Sequence, residues 1–294
     1  MSSTRLPTLF IVATPIGTLS DMSPRARAVL SEVAFVACED TRRTKELFQA
    51  LALPSVPLVS LHEHNETEKS SSLVERLLAS EGRCAALVSD AGTPAISDPG
   101  AIFVDACHSA GIRIESVPGP SSLVSAIAAA GFLQPRILFS GFLQRSQNEQ
   151  RDEFKRWQAV APCVAVCFES PHRILSTLKT AADFFSPETR VCLSREISKK
   201  FEEHLRMPLA ELVQKIEDGH LVKGECILTF ELTPQHFAGA AVQEKTFDDV
   251  VTETLAFLDS HPEARLKDVV RDSAEQHRLN AKELYNTVLA RRRT

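Results

Sequence analysis

Short apolar runs alternate with helical patterns along this chain, and that alternation limits the fold more than any other feature. "TLFIVA" (8–13), "VAFVAC" (33–38), "PLVSL" (57–61), "CAALVS" (84–89) and "IRIESV" (112–117) are β-branched or apolar runs of strand length. Between them lie "PRARAVLSE", "TRRTKELFQALA", "EKSSSLVERLLAS" and the segment opened by "SDPG", all with helical spacing. Strands separated by helices predict an open, mostly parallel five-stranded sheet covered on both faces. "PGPSSLVSAIAAAG" (118–131) predicts a junction and a small-residue helix. A second series follows: "RILFSG", a polar helix over 146–160, "CVAVCFE", a helix over 172–185, "TRVCLSRE", a helix over 208–218 and "GECILTFEL". The expected organisation is an α/β domain over 1–118, a second α/β domain over 119–233, a linker over 234–246 and a helical region over 247–294.

With 294 residues, the chain buries a core without covalent staples. Its seven cysteines (Cys38, Cys84, Cys107, Cys163, Cys167, Cys192 and Cys226) sit in apolar segments and read as buried small hydrophobes, with neither disulfides nor a metal implied. The apolar runs are too short to span a bilayer, and "MSSTRLPTLFIVATP" reads as a first core strand and not as a leader. A soluble cytoplasmic protein is the expectation. The formal charge of −5 argues against affinity for naked nucleic acid. Residues 265–294 depart from this balance, with eight basic against four acidic side chains, which suits either a solvated helical tail or a nucleic-acid contact.

There is no P-loop, and no G-x-G-x-x-G follows the first strand. Open α/β sheets nonetheless bind ligands beyond the carboxyl ends of their strands. Four strand exits are rich in polar groups: "ATPIGTLSD", "EDTRRT", "HEHNE" and "SDAGTPAISDPG". In the last, Asp90 stands at the strand exit beside Gly92 and Pro94, where glycine admits a ligand close to the backbone. Asp98 reads differently. Ser97 or Asp98 suits a helix N-cap, Pro99 the first turn and Gly111 the end, with Phe103, Ala106, Cys107 and Ala110 on the buried face.

"IVATPIGTLSDMSPRA", "ACEDTRRT", "SLHEHNE", "LVSDAGTPAISDPG", "VPGPSS", "ESPHRI", "REISKKFEE" and "KGEC" together resemble the tetrapyrrole-methylase-type family of S-adenosylmethionine-dependent methyltransferases. They most resemble its branch that methylates a cytidine ribose 2′-hydroxyl in bacterial 16S ribosomal RNA. The resemblance runs from about residue 8 to 232, and "LKDVVRDSAEQHRLNAKELYNTVL" is similar to that branch's helical appendage. It implies two α/β domains with S-adenosylmethionine in the cleft between them, and a homodimer. By position, it implies cofactor contacts at Thr14, Pro15, Gly17, Ser89, Asp90, Ala91, Gly92, Thr93, Ser121, Ser122 and Leu143. One departure is "GFLQRSQNEQR", where relatives more often have proline after "GFL" and a more basic sequel.

Methyl transfer needs alignment of donor and acceptor, and a weakly acidic ribose hydroxyl gains from a base. Candidates are Glu39, Asp40, His62, Glu63, His64, Glu169, His172, Lys199, Lys200 and Glu202. Arg42, Arg43 and Arg173 suit phosphate or ribose, since arginine stays protonated. Arg42, Arg173 and Lys199 are the expected RNA contacts. One tryptophan and one tyrosine offer few stacking platforms, which favours RNA presented by an assembled small subunit. Two other readings share these residues: C-methylation of a tetrapyrrole precursor, and a nucleotide- or RNA-binding module without turnover.

Overall fold

The computed structural model describes residues 6–236, 247–260, 264–277 and 279–292. The chain forms two compact units, Met1–His236 and Phe237–Thr294. The first contains two five-stranded sheets.

The first sheet comprises β1 (Thr8–Val12), β2 (Phe35–Cys38), β3 (Leu58–Ser60), β4 (Cys84–Val88) and β5 (Arg113–Val117), in the order β3-β2-β4-β1-β5. All of its pairings are parallel. Period-two alternation sorts its side chains onto two faces. Phe10, Val12, Val36, Cys38, Ala86 and Val88 pack with Ala26 and Leu30 of α1 (Pro24–Glu32) and Phe48 of α2 (Thr41–Ala50). Leu9, Phe35, Ala37, Ala85 and Leu87 pack with Leu73 and Leu77 of α3 (Glu66–Ala79), and with Phe103 and Cys107 of α4 (Ala101–Ser109). Burial on both faces explains why β4 reads as an unbroken apolar run. Ala110, expected on the inner face of α4, is exposed at its C-terminus.

Local signals set several helix ends. The Ser23 hydroxyl accepts from Ala26 N, with Pro24 opening α1. The Ser121 hydroxyl caps α5 (Ser122–Ala130), and Gly131 closes it in the left-handed region at φ +60°.

The second sheet is β6 (Ile137–Phe142), β7 (Cys163–Glu169), β8 (Arg190–Arg195), β9 (Glu203–Pro208) and β10 (Cys226–Leu232), in the order β6-β7-β10-β8-β9. Only β6 and β7 pair in parallel. One face packs on α5 through Val164, Val166 and Ile227, joined by Ile16 from the β1 exit. Trp157, on α6 (Gln147–Val160), lies in an aromatic cluster with Phe154, Phe185 and Phe230. The unit also contains α7 (Ile174–Ala182) and α8 (Leu209–Glu217). The sequence reading missed β9. Its "EHLRMP" has no apolar run because it is an edge strand, paired only to β8.

The second unit contains α9 (Phe247–Ser260), α10 (Leu266–His277) and α11 (Ala281–Arg292) around Val250, Leu258, Val270, Leu284 and Val288. Arg291 pairs with Asp248 at 2.6 Å. Over 247–294 eight basic residues stand against nine acidic ones, four of them in the stretch of α9, so this region has no basic excess. Most of the expected linker (237–246), together with Arg278 and Arg293, lies outside the described residues. No helix among the described residues is long and apolar enough to cross a membrane.

Candidate active site

The exits of β1, β4 and β5 converge. Thr14 N donates to Gly92 O at 2.9 Å and Gly92 N to Thr14 O at 3.1 Å, which joins the first two loops. Gly92 has φ +82°, a conformation that suits glycine. The Thr93 hydroxyl donates to Pro120 O at 3.4 Å and so reaches the loop after β5. Thr14 itself is fully buried, its hydroxyl directed at Ser89 O at 3.3 Å. Thr14 and Ser89 therefore hold the loops together from beneath.

Above them is a cavity of about 410 Å³ between the two sheets, within the usual size range for small-molecule sites. Its polar wall has Glu39, Arg43, Asp90, Asp98, Ser121 and Ser122, with Ala91, Gly92 and Thr93 between them. The second sheet and its exits contribute Phe142, Phe168, Ile197 and Ile227 together with the carboxylates Glu169 and Glu225, and Ile16 and Leu123 add to the apolar lining. Phe142 and Phe168 meet edge to face, with ring centroids 5.3 Å apart.

Asp98 departs from its expected role as a helix cap. Gly100 is the N-cap of α4 and no side chain of that loop caps the helix. Glu66, 5% exposed on α3, does so instead: its Oε1 accepts from Gly100 N at 2.9 Å, Ile102 N at 2.7 Å and Phe103 N at 3.2 Å. A carboxylate suits the positive end of a helix, and one supplied from another element satisfies the same donors. With that position taken, the loop carries Asp98 to the cavity wall through Ala95 at φ +65° and Ser97 at φ +60°.

Three carboxylates thus share one wall. Asp90 accepts from Asp40 N at 3.2 Å and pairs with Arg43 Nη1 at 3.3 Å. Burial raises the pKa of Glu39, reinforced by Asp90 and Asp98 and opposed by a backbone donor at Asp90 and by Arg43. Burial also raises Asp98, with Asp90 and Glu225 adding to the shift and a Ser89 hydrogen bond opposing it. Both groups hold protons more tightly than a surface carboxyl does.

Several other candidates have structural duties. Asp40 caps α2 through Arg42 N at 2.8 Å and grips the Arg42 guanidinium at 2.7 Å, and these hydrogen bonds lower its pKa to about 2. A carboxylate so readily ionised is a poor proton acceptor. Glu169 reaches the cavity wall but is 2% exposed, accepting from Ser170 N and the Thr177 hydroxyl and pairing with Arg173. Arg173 donates to the carbonyls of Leu143 and Gln144 at 3.0 and 2.6 Å. It therefore holds the loop after β6 in place. Leu143 is buried and contributes its carbonyl to that contact. His62 hydrogen-bonds Asn65 beside α3, and His64, Glu63 and His172 are exposed; none of the four lines the cavity.

Lys199 belongs to the β8–β9 turn. Burial disfavours its ammonium, but Glu196 at 3.0 Å and Glu225 at 3.3 Å outweigh that and raise its pKa, so it keeps its proton. The turn clasps the β1 exit: the Ser198 hydroxyl donates to Asp21 at 2.6 Å and accepts from Thr18 N at 3.1 Å, while Thr18 donates to Ser198 O at 2.7 Å. Glu202 braces the turn by accepting from Ser198 N at 2.7 Å, and Lys200 lies over the Phe201 ring. Gly17 is the close-approach point, where a Cβ would stand 2.6 Å from both Lys199 Cγ and Ser198 O. Gly17 thus lies against the clasp, and neither it nor Pro15 belongs to the cavity lining.

Of Arg42 and Arg43 at the start of α2, Arg43 lines the cavity and Arg42 does not. Phe142 and Phe168 carried no signal beyond strand periodicity. The described residues contain no group of three or more His, Cys, Asp or Glu side chains arranged for a metal ion.

The profile of the Tetrapyrrole (Corrin/Porphyrin) Methylases matches residues 8–213. A Pseudomonas aeruginosa protein named ribosomal RNA small subunit methyltransferase I is 46% identical over 224 residues, covering 75% of this chain and 77% of its own. The Vibrio cholerae protein of that name is 39% identical over 280 residues, 95% of this chain and 93% of its own. Among solved structures, cobalt precorrin-4 methyltransferase aligns with a TM-score of 0.54 at 20% identity, over 76% of this chain and 94% of its own. Uroporphyrin-III C-methyltransferase from Thermus thermophilus complexed with S-adenosylhomocysteine aligns at 0.51 and 17%, over 76% and 96%. At these identities the structural likeness concerns the fold.

Proposed function

This chain belongs to the tetrapyrrole methylase family, and from that premise we propose that it methylates the ribose 2′-hydroxyl of a cytidine in 16S ribosomal RNA, using S-adenosylmethionine. The cavity is the observation that carries the reading. It combines a polar wall of carboxylates and serines with an apolar lining, as a zwitterionic nucleoside requires. Asp90 and Glu39 suit an ammonium or ribose hydroxyls, the first N–H groups of α5 suit a carboxylate, and Ile16, Leu123, Ile197 and Ile227 suit a purine ring. Gly92 keeps the loop backbone low, since a Cβ there would stand 3.3 Å from Ile16 Cγ2. When bound, the cofactor supplies a methyl group already activated by its sulfonium. The protein's task is then to align the acceptor and receive its proton.

The names of the relatives over most of the chain's length support small-subunit RNA as the substrate. For RNA contacts we favour Arg42 and Arg43, 87% and 68% exposed at the start of α2. Val124, Leu133 and Ile137 are exposed apolar residues that a second copy would cover in a homodimer. A cytoplasmic location follows from that substrate. A tetrapyrrole precursor would bring its own carboxylates toward Glu39, Asp90 and Asp98, which disfavours it electrostatically.

The test incubates the protein with methyl-labelled S-adenosylmethionine and small subunits from cells lacking it, followed by nucleoside mass spectrometry. Label in 2′-O-methylcytidine is expected. Label in a porphyrinoid acceptor, or no transfer at all, would replace this reading with a tetrapyrrole methylase or a binding module.

A further inference from the structure

Strand β6 carries one residue more than its partner. It pairs with β7 in register from Ile137 and Val164 to Phe139 and Val166, and the next pair is Phe142 with Phe168, so Ser140 and Gly141 stand against Cys167 alone. This is a β-bulge, and Gly141 at φ +62° supplies the conformation it needs. The consequence follows from period-two alternation. An unbroken strand would put Phe142 on the face of Ser140, whose hydroxyl accepts from Trp157 Nε1 on the α6 side. The extra residue puts it instead on the face of Phe139 and Phe168. There the Phe142 ring meets Phe168 edge to face at 5.3 Å, and Phe168 meets Phe139 at 5.0 Å.

Phe139 and Phe168 pack against the core beside α5, whereas Phe142 is 62% exposed and lines the cavity. Phe142, Phe201 and Phe257 are the strongly exposed aromatic residues among the described ones, and of the three only Phe142 borders the cavity. The β4–α4 loop meets β6 at this point. A side chain on Gly141 would begin 3.3 Å from Ser97 Oγ. Ile96, held between Ala95 at φ +65° and Ser97 at φ +60°, is 45% exposed on the same lining. Bulges re-aim side chains beside functional sites, and non-glycine residues in left-handed conformations gather at ligand clamps. The Phe142 ring is thus held from beneath and left open on the cavity side.

Resting on the ribose-methylation reading above, we infer that Phe142 is the stacking platform for the base of the acceptor nucleotide, with Ile96 as the neighbouring apolar rim. A ribose hydroxyl enters such a cavity when its nucleotide leaves the RNA stack, and the freed base then needs another ring to lie on. The carboxylates Glu39, Asp90, Asp98, Glu169 and Glu225 repel phosphates from the interior, so the RNA backbone stays outside while sugar and base enter. Ile16, Leu123, Ile197 and Ile227 suit the purine of the cofactor, which leaves the Phe142 rim to the acceptor. An aromatic face stacks on any base, so Phe142 fixes the position of the nucleotide and not its identity.

The test measures kcat/KM for small subunits, with methyl-labelled S-adenosylmethionine, in wild type, F142A, F142L and F142Y. Calorimetry gives cofactor affinity and sedimentation gives the oligomeric state of each. F142A should lose about 5–150-fold in kcat/KM, the contribution of one base–aromatic stack. F142L, which keeps apolar bulk without a π-face, should lose nearly as much, and F142Y should recover most of the loss. Cofactor affinity should stay within about threefold and the oligomeric state should match wild type in all three. Leucine and tyrosine both keep bulk against Phe168, so that pair decides the question even if F142A unfolds. An F142L as active as wild type, or an F142Y as impaired as F142L, would overturn the assignment by removing the need for a ring. Weakened cofactor binding or an altered oligomeric state would overturn it in favour of a cofactor or subunit contact. Wild type that leaves ribose unlabelled would overturn the ribose reading and this inference together, whereas a labelled ribose with kcat/KM unchanged in F142A overturns only Phe142.

Discussion

Glu66 Oε1 accepts a hydrogen bond from Gly100 N at 2.9 Å, across 34 residues of sequence. Through this contact and those to Ile102 and Phe103, α3 caps α4, and the loop between β4 and α4 is left to face the cavity. Glu66→Ala leaves buried N–H groups without a partner and should cost roughly 2–3 kcal/mol in urea unfolding. Glu66→Gln, which keeps an acceptor, should cost less.

Gly17→Ala drives a Cβ into Ser198 O and Lys199 Cγ. Backbone cannot yield there cheaply, so overpacking should cost about 1–3 kcal/mol. Undocking of the clasp should also weaken S-adenosylmethionine binding, measured by calorimetry on the same variant.

Asp90→Ala removes the carboxylate that faces the cavity and pairs with Arg43. The pair is partly exposed, 68% at Arg43, so the ion pair itself should contribute no more than about 1 kcal/mol to stability. Cofactor affinity should fall about tenfold or more. Binding that is unchanged in a titration would exclude Asp90 from the cofactor site.

Asp40 and Asp98 should respond to acid in opposite senses. The folded-state pKa of Asp40 is lowered from 3.8 to about 2 by its hydrogen bonds to Arg42. Its stabilisation is therefore complete above its unfolded value and is lost as pH falls toward about 2. Asp40→Ala should flatten the melting-temperature profile across that window, while D98N should alter it only at higher pH.

Every residue lining the cavity belongs to the Met1–His236 unit. A chain ending at His236 should bind S-adenosylmethionine within about threefold of the full chain by calorimetry. A larger loss would assign the helical unit a part in the cofactor site.

The alternation of apolar runs determined the first sheet, every strand of the second but β9, and most helices, because strand and helix periodicities are local and leave their mark within a few residues. The caps at Ser23 and Ser121 and the glycine end of α5 are equally local, each partner lying within four residues, although the sequence reading named none of them. Asp90 beside Gly92 was legible as well, because strand exits collect ligand-binding groups whatever their partners. Tertiary structure alone decided what each carboxylate and cation does. "SDPG" is a sound helix start until Glu66 occupies its donors, and Arg42 and Arg43 are equivalent until Asp40 grips one and Asp90 faces the other. β9 has no apolar run to reveal it, and the clasp joins Thr18 to Ser198 across 180 residues. Hydrogen-bond donors accept any well-placed acceptor, so sequence proximity nominates a partner, and only the packed fold selects which of several competitors reaches it.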